Sequence, residues 1–451
     1  MNRLPKGWVI TRLGEINAYS GKTIEPQATP EEVFELYSVP TFPSKKPEIA
    51  QGQQIGSTKQ SVQSNDVLLC KINPRINRVW TVAPKTFLEQ IASSEWIVIR
   101  QPLIDSSFLR YQLSEQNFRE RLCAEVSGVG GSLTRAQPKK VAGYDVILAP
   151  LAEQIRIAAK LDELSAKVTT LKARIDGIPA LLKRFRQSVL AAAVSGHLTK
   201  EWRDLHGARL AEYKSIDDLS EIVTKGASPK WQGVRYVEDP SQTLFVTSEN
   251  VKTMHLDLTK KKYVEDDFNL LQSRSILISG DVLTNIVGGS IGRAAIWRSD
   301  QKANTNQAVC IIRPKSGSLL SEYLSYYLNS PVGITGMTSE AVDVARANVS
   351  LAAVKGLQIL TPTLEEQTEI VCRVEQLFTF ADQLEARVKA AQTRIDLLTQ
   401  SILAKAFRGE LVPQDPSDEP ASVLLERIKA QRAAAPKAKR GRKSQAELSS
   451  G

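Results

Sequence analysis

The chain has 451 residues, 42% hydrophobic and 24% charged, with a formal net charge of +10. That length exceeds what one hydrophobic core usually supports, so at least two domains are expected. The composition suits a soluble globular protein, no apolar run approaches the roughly 18 residues that span a bilayer, and Met1 to Trp8 lacks the apolar core of a signal peptide, which predicts a cytoplasmic protein with no membrane partner.

Residues 1–148 carry short β-prone runs, among them Val67–Cys70 and Trp96–Ile99, and a helical stretch over 105–124. Between those strands, Lys71, Asn73, Arg75, Asn77 and Arg78 crowd one loop. Arginine pairs bidentately with guanine and asparagine with adenine, while lysine mainly meets phosphate, so this is a candidate DNA-reading loop as well as an ordinary solvated hairpin. Ser132 and Arg135 follow, just before a helical block at 149–198. Small and basic residues there suit a grip on a duplex or a plain connector.

In that block Ile157, Leu161, Leu164, Val168, Leu171, Ile175, Ile178, Leu182, Phe185 and Val189 keep a four-three spacing, the seam of a coiled coil. The alternative is an amphipathic helix on a separate domain core. The apolar phase continues past Gly177 and Pro179, predicting a kink or brief break without a change of direction. A linker at 199–212 leads to a second α+β block, 213–360, with strands predicted at 275–278 and 308–312 and a helix at 318–329. Its candidate reading residues are Asn285, Ser290 and Arg293, then Arg346 and Asn348; Gly288, Gly289 and Gly292 suit a strand turn better than a phosphate cradle. The second helical block, 361–412, has its seam at Ile370, Val374, Leu377, Ala381, Leu384, Val388, Ala391, Ile395, Leu398 and Ile402. In the remainder, 413–451, residues 421–432 are predicted helical and packed back toward the first domain, ahead of a basic tail.

The chain therefore repeats itself. Residues 153–198 align without a gap to 366–411, at a constant offset of 213. Upstream the match is weaker: Asp66-Val67-Leu68 parallels Asp281-Val282-Leu283, Ile76 and Arg78 parallel Ile291 and Arg293, and Ile99-Arg100 parallels Ile312-Arg313. The short connection from Leu198 to Tyr213 predicts antiparallel helices, with the two variable blocks at opposite ends of a rod and a pseudo-two-fold relation between the halves.

Catalytic signals are weak. Ser20-Gly21-Lys22-Thr23 ends like a phosphate-binding loop, but Ile16 stands where its first glycine belongs. Asn73-Pro74 is followed by Arg75 and Ile76, unlike an adenine methyltransferase loop, and Cys70, Cys123, Cys310, Cys372, His197, His206 and His255 are too scattered to predict a metal site. The basic charge fits a polyanionic partner.

The helix openings Pro150-Leu151-Ala152-Glu153-Gln154 and Pro362-Thr363-Leu364-Glu365-Glu366-Gln367, the run Leu182 to Leu190 followed by Gly196-His197-Leu198, and the opening Leu4-Pro5-Lys6-Gly7-Trp8 with Leu13-Gly14-Glu15-Ile16 resemble the DNA-specificity subunit of type I restriction-modification systems. The resemblance covers roughly residues 1–412. It implies a non-catalytic protein, without a cofactor of its own, whose two target-recognition domains read the halves of a bipartite double-stranded DNA site. It also implies two methyltransferase subunits docked on the helices and binding S-adenosylmethionine, with a restriction subunit as a further partner. The residues alone also fit a free-standing coiled-coil DNA-binding or scaffold protein.

Overall fold

The computed structural model describes residues 4–127, 134–208, 211–339 and 347–434. The chain divides into two units, Met1–Arg174 with Ala391–Gly451, and Ile175–Ala390. Both are α+β.

In the first unit, strand Val67–Cys70 pairs antiparallel with Val79–Thr81 on one side and Trp96–Ile99 on the other. A five-stranded sheet lies alongside in sequence, with Val33–Tyr37 parallel to Glu89–Ser93. The second unit repeats this plan: Val282–Asn285 pairs with Ala294–Ile296 and Val309–Pro314, and Thr243–Val246 runs parallel to Ala303–Thr305. Each unit then closes with an antiparallel strand pair, Val9–Arg12 with Asp145–Leu148 and Glu212–Ser215 with Gln358–Thr361. From those closing strands the chain passes directly into a long helix.

The two long helices, Leu151–Val194 and Leu364–Phe407, have 44 residues each. At 1.5 Å per residue each is about 66 Å long. The first is helical through Gly177 and Pro179, so of the expected kink or brief break the break does not occur. Pro179 is exposed, which lets water take the backbone acceptor its ring leaves unpaired.

The helices run antiparallel inside each unit. In the first, Ile157 and Leu161 cluster with Leu403, Ala406 and Phe407, and Lys172 reaches Asp396. In the second, Val189 and Leu190 cluster with Ile370 and Val374, and Arg186 pairs with Asp382 and Glu385. The expected seam is only partly a buried one. Ile157, Leu161, Leu182, Val189, Ile370, Val374, Ala381, Val388 and Ile395 are buried, and Leu164, Val168, Ile175, Leu377 and Leu384 are partly so. Leu171 and Leu398, however, are 47% and 49% exposed. Two helices cover one another on one side only, and burial is deepest where a domain adds a further wall, as Phe108 does beside Phe407.

The helix expected at 105–124 is two, Ser106–Ser114 and Gln116–Ala124, separated at Glu115, whose carboxylate accepts from the Asn117 amide. The strand expected at Ser275–Ile278 is absent. A 3-10 turn occupies Ser273–Ser275, and the Ile278 amide goes to the Asp281 carboxylate instead of a ladder partner. Helix Ala421–Ala434 does pack on the first unit, through Ala421, Leu424 and Ile428 against the cluster containing Leu13 and Ile16.

Candidate nucleic-acid interface

The candidate residues sit on the hairpin turn that leaves strand Val67–Cys70 of a three-stranded sheet in the first unit and strand Val282–Asn285 of a four-stranded sheet in the second, and the two turns share their left-handed positions. Asn73 and Asn77 have φ of 46° and 49°, while Gly288 and Gly292 have φ of 74° and 83°. These are matched positions, 215 apart. Left-handed backbone favours glycine and is tolerated best by asparagine among the others, which explains both pairs. Two turn hydrogen bonds match as well, Ile76 N to Asn73 O and Cys70 N to Arg78 O in the first, Ile291 N to Gly288 O and Asn285 N to Arg293 O in the second, whereas Asn77 N goes to Pro74 O and Gly292 N to Asn285 O.

Each turn is tied to the segment preceding its long helix. Ile72 bridges to Arg135, and the Asn73 amide donates to Thr134 O. Val287 bridges to Asn348, and the Gly288 amide donates to Ala347 O. Two stretches that sequence reading selected separately are thus one surface in each unit. Ser132 and Arg346, with the basic tail from Pro436, lie outside the described residues.

The side chains differ in availability. Arg75 and Arg293 are exposed and form no side-chain hydrogen bond or ion pair with a described residue, and Asn348 is also exposed. Lys71, Asn73 and Ser290 are half-buried. Arg78 is half-buried and donates to Ile72 O at 3.4 Å. Arg135 is paired with Glu95 at 3.1 Å.

Asn285 requires correction, and Asn77 is partly engaged by the protein itself. Asn285 is completely buried, its Nδ2 donating to Ser248 O, Val251 O and Ser290 Oγ. Asn77 donates to Ser114 O at 2.9 Å, and its Oδ1 is buried. Asn285 braces its turn from beneath and offers no amide to a ligand, while half-buried Asn77 commits one amide hydrogen to Ser114 O. Conversely, sequence reading omits Lys139 and Lys140, exposed in the helix Pro138–Val141 directly after Arg135. The consecutive lysines were the available signal.

At the opposite end of each of these strands, Val67–Cys70 and Val282–Asn285, from its turn lies a matched ion pair. Asp66 binds Arg100 at 2.6 Å and Asp281 binds Arg313 at 2.7 Å, with both aspartates buried. Each aspartate also accepts the amide three residues before it, from Gln63 or Ile278. Matched glutamines pin the start of each long helix. Gln154 accepts from the Asp105 amide and donates to Ala149 O, as Gln367 accepts from Leu320 and donates to Pro362 O.

The glutamates beside those glutamines have different partners. Glu366 binds Thr199 and Arg203, whereas Glu153 accepts the Trp8 indole N–H at 2.9 Å. Burial raises the Glu153 carboxyl above its usual value, opposed by the Trp8 bond. Its folded pKa then exceeds the unfolded one, so its stabilising contribution is full below about pH 4.3 and is lost as pH rises through the folded value. Glu153→Gln should therefore improve thermal stability, relative to the parent, more at pH 7 than at pH 4. An identical difference at both pH values would show that the carboxyl does not titrate differently on folding.

The cysteines are free. Burial pushes the Cys310 thiol up to about 12 and raises that of Cys70 as well. Among the described residues, no group of three or more His, Cys, Asp or Glu could hold a metal ion, and no helix is long and apolar enough to cross a membrane.

Two α+β units with matched hairpin sheets, turns and ion pairs, each continuing into one of two equal long helices, define a duplicated, helix-carried architecture. Residues 210–392 match the family described as type I restriction modification DNA specificity domain. The chain is 40% identical over 314 residues to the EcoBI specificity subunit of Escherichia coli, covering 66% of each, and 33% identical over 361 residues to the EcoKI subunit of E. coli K12, covering 76% of this chain and 75% of that one. Its fold is similar to the HsdS subunit from Thermoanaerobacter tengcongensis, with a TM-score of 0.60 at 22% identity over 91% of this chain and 98% of that one. A chain from another type I restriction-modification system gives 0.68 at 20% identity, over 91% of this chain and all of that one. The chain belongs to the type I restriction-modification specificity subunits, a family of DNA-recognition proteins.

Proposed function

We propose that this protein is the non-catalytic, cytoplasmic DNA-reading subunit of a type I complex, each α+β unit recognising one half of a bipartite duplex site. The observation that carries this reading is the paired surface: in both units the basic turn is hydrogen-bonded to the segment that leads to a long helix. A fixed turn can enter a groove without the ordering cost of a flexible loop. The helices carry two methyltransferase subunits, which bind S-adenosylmethionine and methylate adenine, and a restriction subunit completes the complex. Those chemistries belong to the partners.

Exchanging residues 1–148 for the corresponding domain of a relative should change one half of the methylated motif and leave the other half intact. Methylome sequencing of cells carrying the parent and the chimaera provides the measurement. A chimaera altered in both halves would contradict two independent reading units.

A further inference from the structure

We infer that the two turns divide their DNA contacts by position: the arginine that both retain, Arg78 and Arg293, meets the sugar-phosphate backbone, while the tip of the first turn, Arg75, reads a guanine. The inference rests on the proposed DNA-reading role of these turns and adds the assignment of individual contacts.

The two turns place their left-handed residues at the same positions, although Ile76 lies within a 3-10 turn and Ile291 follows one. With left-handed residues and two turn hydrogen bonds in register, residues 71–78 correspond one by one to 286–293. Arg78 then stands where Arg293 stands, Ile76 where Ile291 does, and Arg75 where Ser290 does. The two halves of a bipartite duplex present the same phosphates but different bases. Phosphate contacts position a protein without carrying sequence information, whereas base-edge contacts specify. Within a duplicated reader, a retained side chain at an equivalent position suits the feature both halves share. A divergent position suits the feature in which they differ.

Local chemistry agrees. Arg75 is exposed at the crest of the turn, without a side-chain partner among the described residues, between buried Pro74 and an Ile76 that is 51% exposed. Its backbone is fixed on both sides, by the 3-10 turn Pro74–Ile76 and by Asn77 anchored to Ser114 O. A planar guanidinium on a fixed backbone meets the requirement for bidentate pairing with guanine O6 and N7, and Ile76 supplies an apolar neighbour for the groove floor. The second turn lacks such a tip. Ser290 Oγ is occupied by Asn285, and Ile291 packs against the core of its unit. Arg78 differs from Arg75 in being half-buried, with Ile72 O beside its guanidinium, which limits its reach to the base edges, whereas Arg293 is exposed and its assignment rests on its matched position.

The test uses the full chain co-expressed with its modification subunits, bound to a library of randomised duplexes over a series of salt concentrations. Arg75→Ala should lose on the order of 10- to 100-fold discrimination at one guanine in one half-site. Arg75→Lys should behave similarly, because lysine keeps the charge but cannot form the fork, and it guards against a folding defect in the alanine variant. Arg78→Ala and Arg293→Ala should weaken binding to all sequences alike, each lowering the salt slope by about 0.9. Uniform weakening by Arg75→Ala, or altered base preference in Arg78→Ala or Arg293→Ala, would overturn the division of contacts while leaving the turns at the interface. Unchanged affinity, salt slope and preference in all of these variants would instead remove the turns from the interface and overturn the reading beneath it.

Discussion

Asp281→Ala is expected to destabilise the second unit by about 3–5 kcal/mol, the usual cost of leaving one member of a buried ion pair alone. The Asp281 side chain is fully buried, and the Arg313 side chain is only 18% exposed. Two oxygens hold it, Oδ1 from Nε at 2.7 Å and Oδ2 from Nη2 at 2.9 Å. Oδ2 also accepts the Ile278 amide, so alanine strands both a cation and a backbone donor. The effect should appear as lost hydrogen-exchange protection in Val282–Asn285 and Val309–Pro314, with Val67–Cys70 unaffected. Asp66→Ala should do the reverse, since Asp66 holds Arg100 and the Gln63 amide in the same way. Asp281→Asn should cost less, because an amide retains an acceptor for one of these donors. A change below about 1 kcal/mol for Asp281→Ala would mean that water or relaxation compensates Arg313, and the pair would no longer count as an anchor of its sheet.

The long helices were the most legible part of the sequence. Their apolar spacing is local, it recurs over many turns, and the offset of 213 that aligns residues 153–198 with 366–411 also separates the helix bounds, Leu151 from Leu364 and Val194 from Phe407. The strands Val67–Cys70 and Trp96–Ile99 were legible for the same reason. Reading failed where the deciding partner is distant in sequence. An asparagine in a basic loop looks the same whether its amide faces water or a buried carbonyl, so the sequence does not reveal that Asn285 braces its turn through Ser248 O and Val251 O. The parallel between Asp66 and Asp281 was visible, but its meaning depends on arginines 34 and 32 residues away. The exposure of Leu171 and Leu398 depends on where a domain stops covering the helix pair, which spacing does not encode.

Truncation after Val412 should destabilise the first unit strongly, although the residues removed have no counterpart in the helical repeat. Leu424 and Ile428 are buried in the cluster with Leu13, Ile16, Phe118 and Tyr144, and removing two such side chains forfeits about 1.5–3 kcal/mol each. The truncation also removes Asp418, which binds Arg156 at 2.6 Å, and the Ala421 amide, which donates to Gly7 O. Arg432, which bonds the carbonyls of Gly14 and Glu15, is lost with them. In the second unit the comparable work is done by the helix Lys200–His206, whose Arg203 binds Glu366 at the start of the other long helix. In each unit, then, the chain leaving one long helix returns to the first turns of the other. Hydrogen exchange over Val9–Ile16 provides the measurement, with truncation after Ala434 as the comparator that keeps every contact named here. Equal protection in the two truncations would show that Ala421–Ala434 rests on the first unit without holding it. Loss confined to the shorter protein, reproduced by Leu424→Asp in the full chain, would make that helix part of the fold that sets the first reading surface.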